Sequence, residues 1–252
     1  MKKFFIAAAL IAACLSAFAE DYESFGTKYK AGVDYKVFQG FHLRASEAVL
    51  LDSSFGFDRS NTTVGATYRF NDWLKAGLDY SAIAVSKSYG LDWRHRLTFG
   101  VTESWKLDGF KFSFRESLMA TYRTRDIDTY ENPRTKLIFK TRAKVSYKPF
   151  HSRFTPYALA EMRLLLNGAK WSQNDSGTWV FDGHSDIYFN RIAFQAGTLF
   201  HLDKQNALEF YAQYNYVIDK DVDAVRATGV FKSLTITHYP RVELGLGYTF
   251  SF

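Results

Sequence analysis

The sequence predicts an all-β chain, a closed antiparallel transmembrane β-barrel of about twelve strands behind an N-terminal signal peptide. Three observations lead there. Apolar and polar residues alternate with period two in segment after segment. Short turns and longer polar loops follow one another along the chain. The last segment ends on Phe252, with an apolar or aromatic residue at every second position back from it.

The first residues read as a targeting device. Lys2 and Lys3 form a positive head, Phe4 to Leu15 a short apolar run, and Ala17-Phe18-Ala19 a small-x-small cleavage site. Cleavage after Ala19 gives two segments, a signal peptide over 1–19 and a barrel over 20–252. Ile11-Ala12-Ala13-Cys14 also fits the box before a lipidated cysteine, although Leu15 suits that site poorly. Cys14 is the only cysteine, so the ordinary cleavage leaves neither a disulfide nor a thiolate metal site. The formal charge of +6 includes Lys2 and Lys3, which leaves +4 for the mature chain. No block of like charge points to nucleic acid. Aromatic residues make up 18% of a chain whose mean hydropathy is only −0.22, as expected when rings and charges are sorted onto opposite faces.

No stretch of the mature chain approaches the roughly 18 apolar residues of a spanning helix. Strands appear instead. Tyr29, Ala31, Val33, Tyr35 and Val37 alternate with Lys28, Lys30, Gly32, Asp34 and Lys36. Val64, Ala66, Tyr68 and Phe70 are followed, after Asn71-Asp72, by Leu74, Ala76, Leu78 and Tyr80. Trp93, Leu97, Phe99, Val101 and Trp105 come next, then Phe110, Phe112, Phe114, Leu118 and Tyr122. Leu137, Phe139, Ala143, Val145 and Tyr147 oppose Lys136, Lys140, Arg142, Lys144 and Lys148, and Leu208 to Tyr216 repeats the pattern. About eleven segments alternate in this way. Bacterial single-chain barrels favour even strand numbers, so the expectation is twelve, with a short strand hidden in 20–27 or 219–238, or else ten.

Tight links fall at Gln39-Gly40, Asn71-Asp72, Asp108-Gly109, 149–153 and 203–206, and long loops are expected over 53–60, 86–92, 124–133, 167–186 and 219–238. Short turns are periplasmic and long loops external in outer-membrane barrels. Rings gather at strand ends, among them Phe38, Phe41, Phe70, Trp73, Trp93, Trp105, Phe110, Phe154 and Phe200, as two interfacial girdles require. A soluble barrel would show the same alternation with inside and outside exchanged. The rings and the terminal strand favour lipid outside.

The terminal strand supplies a candidate assembly signal, Leu244, Leu246, Tyr248, Phe250 and Phe252. The expected partners are outer-membrane lipid and the barrel-assembly machinery, with small anionic solutes as a further class and nucleic acid excluded. The chain resembles a family of Bacteroidota outer-membrane barrel proteins defined as a domain of unknown function. The resemblance is carried by Trp93-Arg94-His95-Arg96-Leu97, Phe114-Arg115-Glu116, Thr155-Pro156-Tyr157 with Glu161, Arg191, and the Gly-Tyr-x-Phe-x-Phe ending. It implies a barrel in the outer membrane of a Gram-negative bacterium and no activity.

With the apolar face outward, the other face lines the lumen. It carries Arg94, Arg96, Lys111, Arg115, Lys136, Lys140, Arg142, Lys144 and Arg191, against the acidic partners Asp34, Asp79, Glu161, Glu209 and Glu243. Such a basic lumen either attracts anions or is plugged by its own long side chains bridging to carboxylates. Glu47, Glu103 and Glu116 interrupt the apolar face, and a β-bulge at each is expected to turn it inward, the alternative being a subunit contact or a site near the rim. No enzyme is expected. His184-Ser185-Asp186 and His151-Ser152 are sequence neighbours, which point to opposite faces of extended chain and cannot stack as base and nucleophile. No metal and no cofactor are expected, since the histidines are scattered and Asp219, Asp221 and Asp223 read as solvated. Trp171, Trp179 and Phe181 in the longest loop either meet a glycan or partner, or fold back over the lumen.

Overall fold

A computed structural model describes residues 25–149 and 152–252. The predicted signal peptide, Cys14 and His151 lie outside the described residues. The described chain is all-β: β1 (Phe25–Phe38), β2 (Phe41–Leu51), β3 (Phe57–Arg69), β4 (Leu74–Lys87), β5 (Gly90–Leu107), β6 (Phe110–Arg123), β7 (Thr135–Tyr147), β8 (Phe154–Gly168), β9 (Trp171–Gln173), β10 (Trp179–Phe181), β11 (Asp186–His201), β12 (Asn206–Val225) and β13 (Val230–Ser251). β9 and β10 form a small hairpin of their own. Among the described residues, the other eleven strands close into one barrel in the order β1-β13-β12-β11-β8-β7-β6-β5-β4-β3-β2.

Eleven corrects the expected twelve. Every junction is antiparallel except β1 with β13, which run parallel from Phe25 opposite Val242 to Asp34 opposite Ser251. With an odd number of strands the first and last must point the same way. A parallel ladder satisfies the facing backbone groups as well as an antiparallel one does, so closure imposes no even count. The alternating segments were already eleven; the parity rule was the error.

The loop pattern is also revised. The expected loop over 219–238 is strand: β12 and β13 stay paired to Val225 opposite Val230, well beyond the last β11 partner of β12 at Val217. This hairpin projects past the barrel rim. The expected loop over 86–92 shrinks likewise, because β4 and β5 remain in register to Lys87 opposite Gly90. Asp219, Lys220 and Asp221 are polar because the projecting strands meet water, so the run resembled a loop.

The strands are strongly staggered. From Lys36, near the turn end of β1, registered partners run through His42, Thr67, Gly77, Gly100, Ser117, Lys140, Arg163, Arg191 and Val217 to Tyr239, far up β13. A closed barrel of tilted strands requires such a stagger.

Burial fixes which face is which. Phe99, Leu97, Leu78, Val64, Phe194 and Phe210 stand on the outside, Phe194 58% exposed, whereas Asp79, Glu161, Gln213, Asn215 and Glu243 are buried inside. Inward glycines seat the largest interior rings. A Cβ added to Gly245 would overlap the ring of Tyr211, and one added to Gly197 would meet Tyr157 at 2.8 Å. Rings lying across strand glycines cover backbone that would otherwise be bare.

The three apolar-face carboxylates are a second correction. Register runs unbroken through Glu47, Glu103 and Glu116, so no bulge turns them in. Glu103 and Glu116 remain exposed on the outer wall, diagonal neighbours on β5 and β6, and Glu47 accepts a hydrogen bond from the Thr62 hydroxyl beside it. The register shifts among the described strands lie elsewhere, at Lys36/Phe38, Leu50/Leu51, Asp186/Tyr188, Phe189/Arg191 and Asp223/Ala224.

Candidate functional site: a charged lumen beneath a folded cap

Period-two alternation delivers the predicted basic residues to the interior, and the structure arranges them in layers. At mid-height, Glu161 of β8 is 5% exposed. Its carboxylate meets Arg142 at 2.6 Å, Arg163 at 2.8 Å, Arg191 at 3.6 Å and Lys140 at 3.8 Å. One acid thus gathers four cations. Arg191 keeps a buried, unpartnered Nε. Toward the turn end, Asp79 of β4 holds Arg44 of β2 through two guanidinium nitrogens and Arg115 of β6 at 3.6 Å, bridging strands that are not neighbours. Arg241 of β13 reaches Asp58, at the head of β3, at 3.2 Å. Charge-assisted contacts of this kind are the stronger hydrogen bonds, and here they tie the wall to itself.

The other predicted acids are held in polar contacts. Glu209 accepts the Tyr157 hydroxyl at 2.6 Å, and Gln195 donates to that same hydroxyl at 2.6 Å. Glu243 accepts from Tyr211 at 3.2 Å and lies 3.8 Å from Lys28. Asp34 contacts His42 at 2.6 Å. Lys144 sits 3.7 Å from the centre of the Tyr157 ring, a cation–π contact. Arg96 donates to Thr121 at 2.9 Å, and Arg94 to Asp92 at 2.6 Å. Lys111 and Lys136 have no carboxylate within 4 Å among the described residues.

Arg44, Arg163, Arg241 and Tyr157 were not expected in the lumen, whereas alternation with Glu209 and Gln213 already puts Tyr211 there. Arg163 could have been found, since it stands two residues from Glu161 on the same face. Its segment was obscured because Leu159 and Leu165 also point inward and blur the alternation. Leu165 joins Met119 and Ile138 in a small buried apolar cluster against which Tyr188 packs. These four follow one another as registered partners across β6, β7, β8 and β11. They form a partial apolar layer above the Glu161 cluster.

Above that layer, at the loop end, is a polar cavity of about 570 Å³. Leu165 and Tyr188 form part of its floor, and Arg94, Arg123, Lys136, Glu131, Asp219 and Asp221 are among its walls. Its cover is built from three segments. Arg226, in the turn of the projecting hairpin, pairs with Asp126 of the 124–134 segment, and the Ala224 N–H donates to Glu131 at 3.4 Å. Tyr130 stacks edge-on against Phe181 at 5.4 Å, and its carbonyl accepts the Trp171 indole N–H at 3.3 Å. Trp171 and Trp179 both pack on Phe231, at 5.2 and 4.8 Å between ring centres. The predicted surface rings therefore meet one another and the neighbouring hairpin. His184 lies against Phe181, and Asp186 is ion-paired with Lys220.

A larger depression, about 860 Å³, lies on the outer wall. Alanines 143, 158, 160, 196 and 212 floor it between Trp105, Phe112, Phe114, Phe194 and Tyr214. It is a furrow in the apolar surface and offers no polar chemistry. The assembly-signal residues share that surface: Leu246, Tyr248 and Phe252 are exposed, Leu244 and Phe250 half-buried. Phe252 packs on Tyr35 at 4.9 Å, and its backbone bonds to β1 on both sides, N to Asp34 and O to Lys36.

No protein-family model matches the chain, and no curated protein matches it. The resemblance to the Bacteroidota barrel family rests on the sequence motifs alone.

Proposed function

We propose that this chain is an integral β-barrel of a Gram-negative outer membrane, exported by its first 19 residues and braced from within as a membrane-embedded scaffold. The observation that carries this reading is the inverted burial. Aliphatic and aromatic side chains circle the outside while carboxylates and guanidinium groups are enclosed. Water would penalise the first arrangement, whereas hydrocarbon favours it. A turn-end belt supports the same reading: Trp105 packs with Phe112, Phe110 with Tyr147, Phe154 with Phe200 and Phe250 with Phe252, where a bilayer interface would lie. The terminal Leu244, Leu246, Tyr248, Phe250 and Phe252 then serve as the signal read by the barrel-assembly machinery. The protein should fractionate with outer membranes, need detergent for extraction, and migrate faster on SDS gels before boiling than after. A mature protein that stays dissolved and monomeric without detergent would overturn this reading.

A second reading, a narrow passive pore for small anions, draws on one observation. Cations outnumber acids around Glu161, four to one. Anion-selective steps in planar bilayers, growing when residues 169–185 are deleted, would establish the pore. Silence from both proteins would leave the scaffold.

A further inference from the structure

The cavity under the cap is lined by groups of both charges, several of which form no direct ion pair. Several of its charged groups are already committed. Arg94 is bound to Asp92, Asp126 to Arg226 and Arg134, and Lys220 to Asp186. Seven charged groups have no opposite charge within 4 Å among the described residues, Lys87, Arg125 and Glu131 and four more. Arg123, the last residue of β6, and Lys136, at the start of β7, have no carboxylate within 4 Å among the described residues. Asp219 and Asp221 on the projecting part of β12 have no cation within that distance. All four line the same cavity.

Opposite charges lining one small space ordinarily pair directly, because each gains by the contact. Here they stand more than 4 Å apart, on β6 and β7 on one side and on β12, three strands round the barrel from β7, on the other. Lys136 is held in register with Thr121 of β6 and Arg123 by its backbone N–H to Arg134, while Asp219 and Asp221 are in register with Thr237 and Thr235 of β13. The space between them is about 570 Å³, within the range of small-molecule sites. Leu165 and Tyr188 form a partly apolar floor beneath it.

We propose that this cavity binds a small zwitterion of the amino-acid or short-peptide class. The carboxylate of the solute lies against Arg123 and Lys136, and its ammonium group against Asp219 and Asp221. Tyr188, which also lines the space, is placed to cover an apolar side chain. A simple anion would satisfy one wall only and leave the aspartates facing it. The site is independent of whether the lumen conducts.

The test is calorimetric titration of the detergent-folded full-length protein with diglycine, N-acetyl-diglycine and diglycine amide. Diglycine should bind, and blocking either end should weaken binding about tenfold or more. The double variant R123Q/K136Q should bind diglycine and its amide equally, and D219N/D221N should bind diglycine and its acetylated form equally. Retention of the unboiled gel shift would show that each variant keeps its barrel. Absence of diglycine binding to the folded native protein would overturn the assignment. So would equal binding of the acetylated form, which would indicate an anion site. A protein that binds diglycine yet proves soluble without detergent would refute the membrane reading and keep this one.

Discussion

Glu161 is the residue on which the interior depends most. Four cations converge on one buried carboxylate, so replacing it with Gln leaves them facing one another. Removing one partner of a buried charge pair costs about 3–5 kcal/mol. Glu161→Gln should therefore lower the urea midpoint of the folded barrel markedly, and Glu161→Asp much less. Glu116 poses the opposite case. It stands exposed on the outer wall with Val101 and Thr141 as its registered neighbours. If lipid surrounds it, Glu116→Leu should stabilise the barrel in bilayers by up to about 2 kcal/mol, since acidic residues are unfavourable there though less so than Arg or Lys. Unfolding in lipid vesicles at several urea concentrations measures this. A loss of stability would show that the carboxylate has a partner.

At the scale of elements, the paired terminal strands and the cap make separate predictions. Gly245 of β13 is flat against the Tyr211 ring of β12, and that ring carries a hydroxyl bonded to Glu243. Gly245→Val must displace the ring, and overpacking of this kind costs about 1–3 kcal/mol; pairing it with Tyr211→Ala should recover much of the loss. In the cap, Glu131 is held above the ordinary carboxylate range, first by burial and then by Asp128, Asp221 and Asp223, against the Ala224 N–H that lowers it. The docked cap therefore favours the protonated acid. Its contribution is complete at pH below the ordinary carboxylate value and fades as pH rises through the elevated one. Fluorescence of Trp171 and Trp179 should report a tighter cap at acid pH, and Glu131→Gln should remove that dependence.

For the whole molecule, closure binds the two chain ends together. The parallel ladder joins β1 to β13, and Phe252 bonds to β1 beside Tyr35. Deleting Phe252 removes both its ring contacts and its backbone pair, so assembly yield in outer membranes should fall several-fold while signal cleavage is unaffected. Immunoblotting of membrane fractions checks both.

The sequence by itself determined the strands and their two faces. Period-two alternation requires only that neighbouring residues point opposite ways, and it placed Arg142, Lys140, Arg191 and Glu161 on one side before any partner was known. Tertiary structure decided the rest. Strand number followed from how β1 meets β13, a contact between residues more than two hundred apart. Glu47, Glu103 and Glu116 stayed on the outer wall because the ladders on both sides continue through them, and no local signal reports that. The cap followed from Trp171, Trp179 and Phe231 meeting across separate connections. Alternation is a property of one strand, whereas closure, ion pairing and capping are properties of strands brought together, and only the closed barrel brings them.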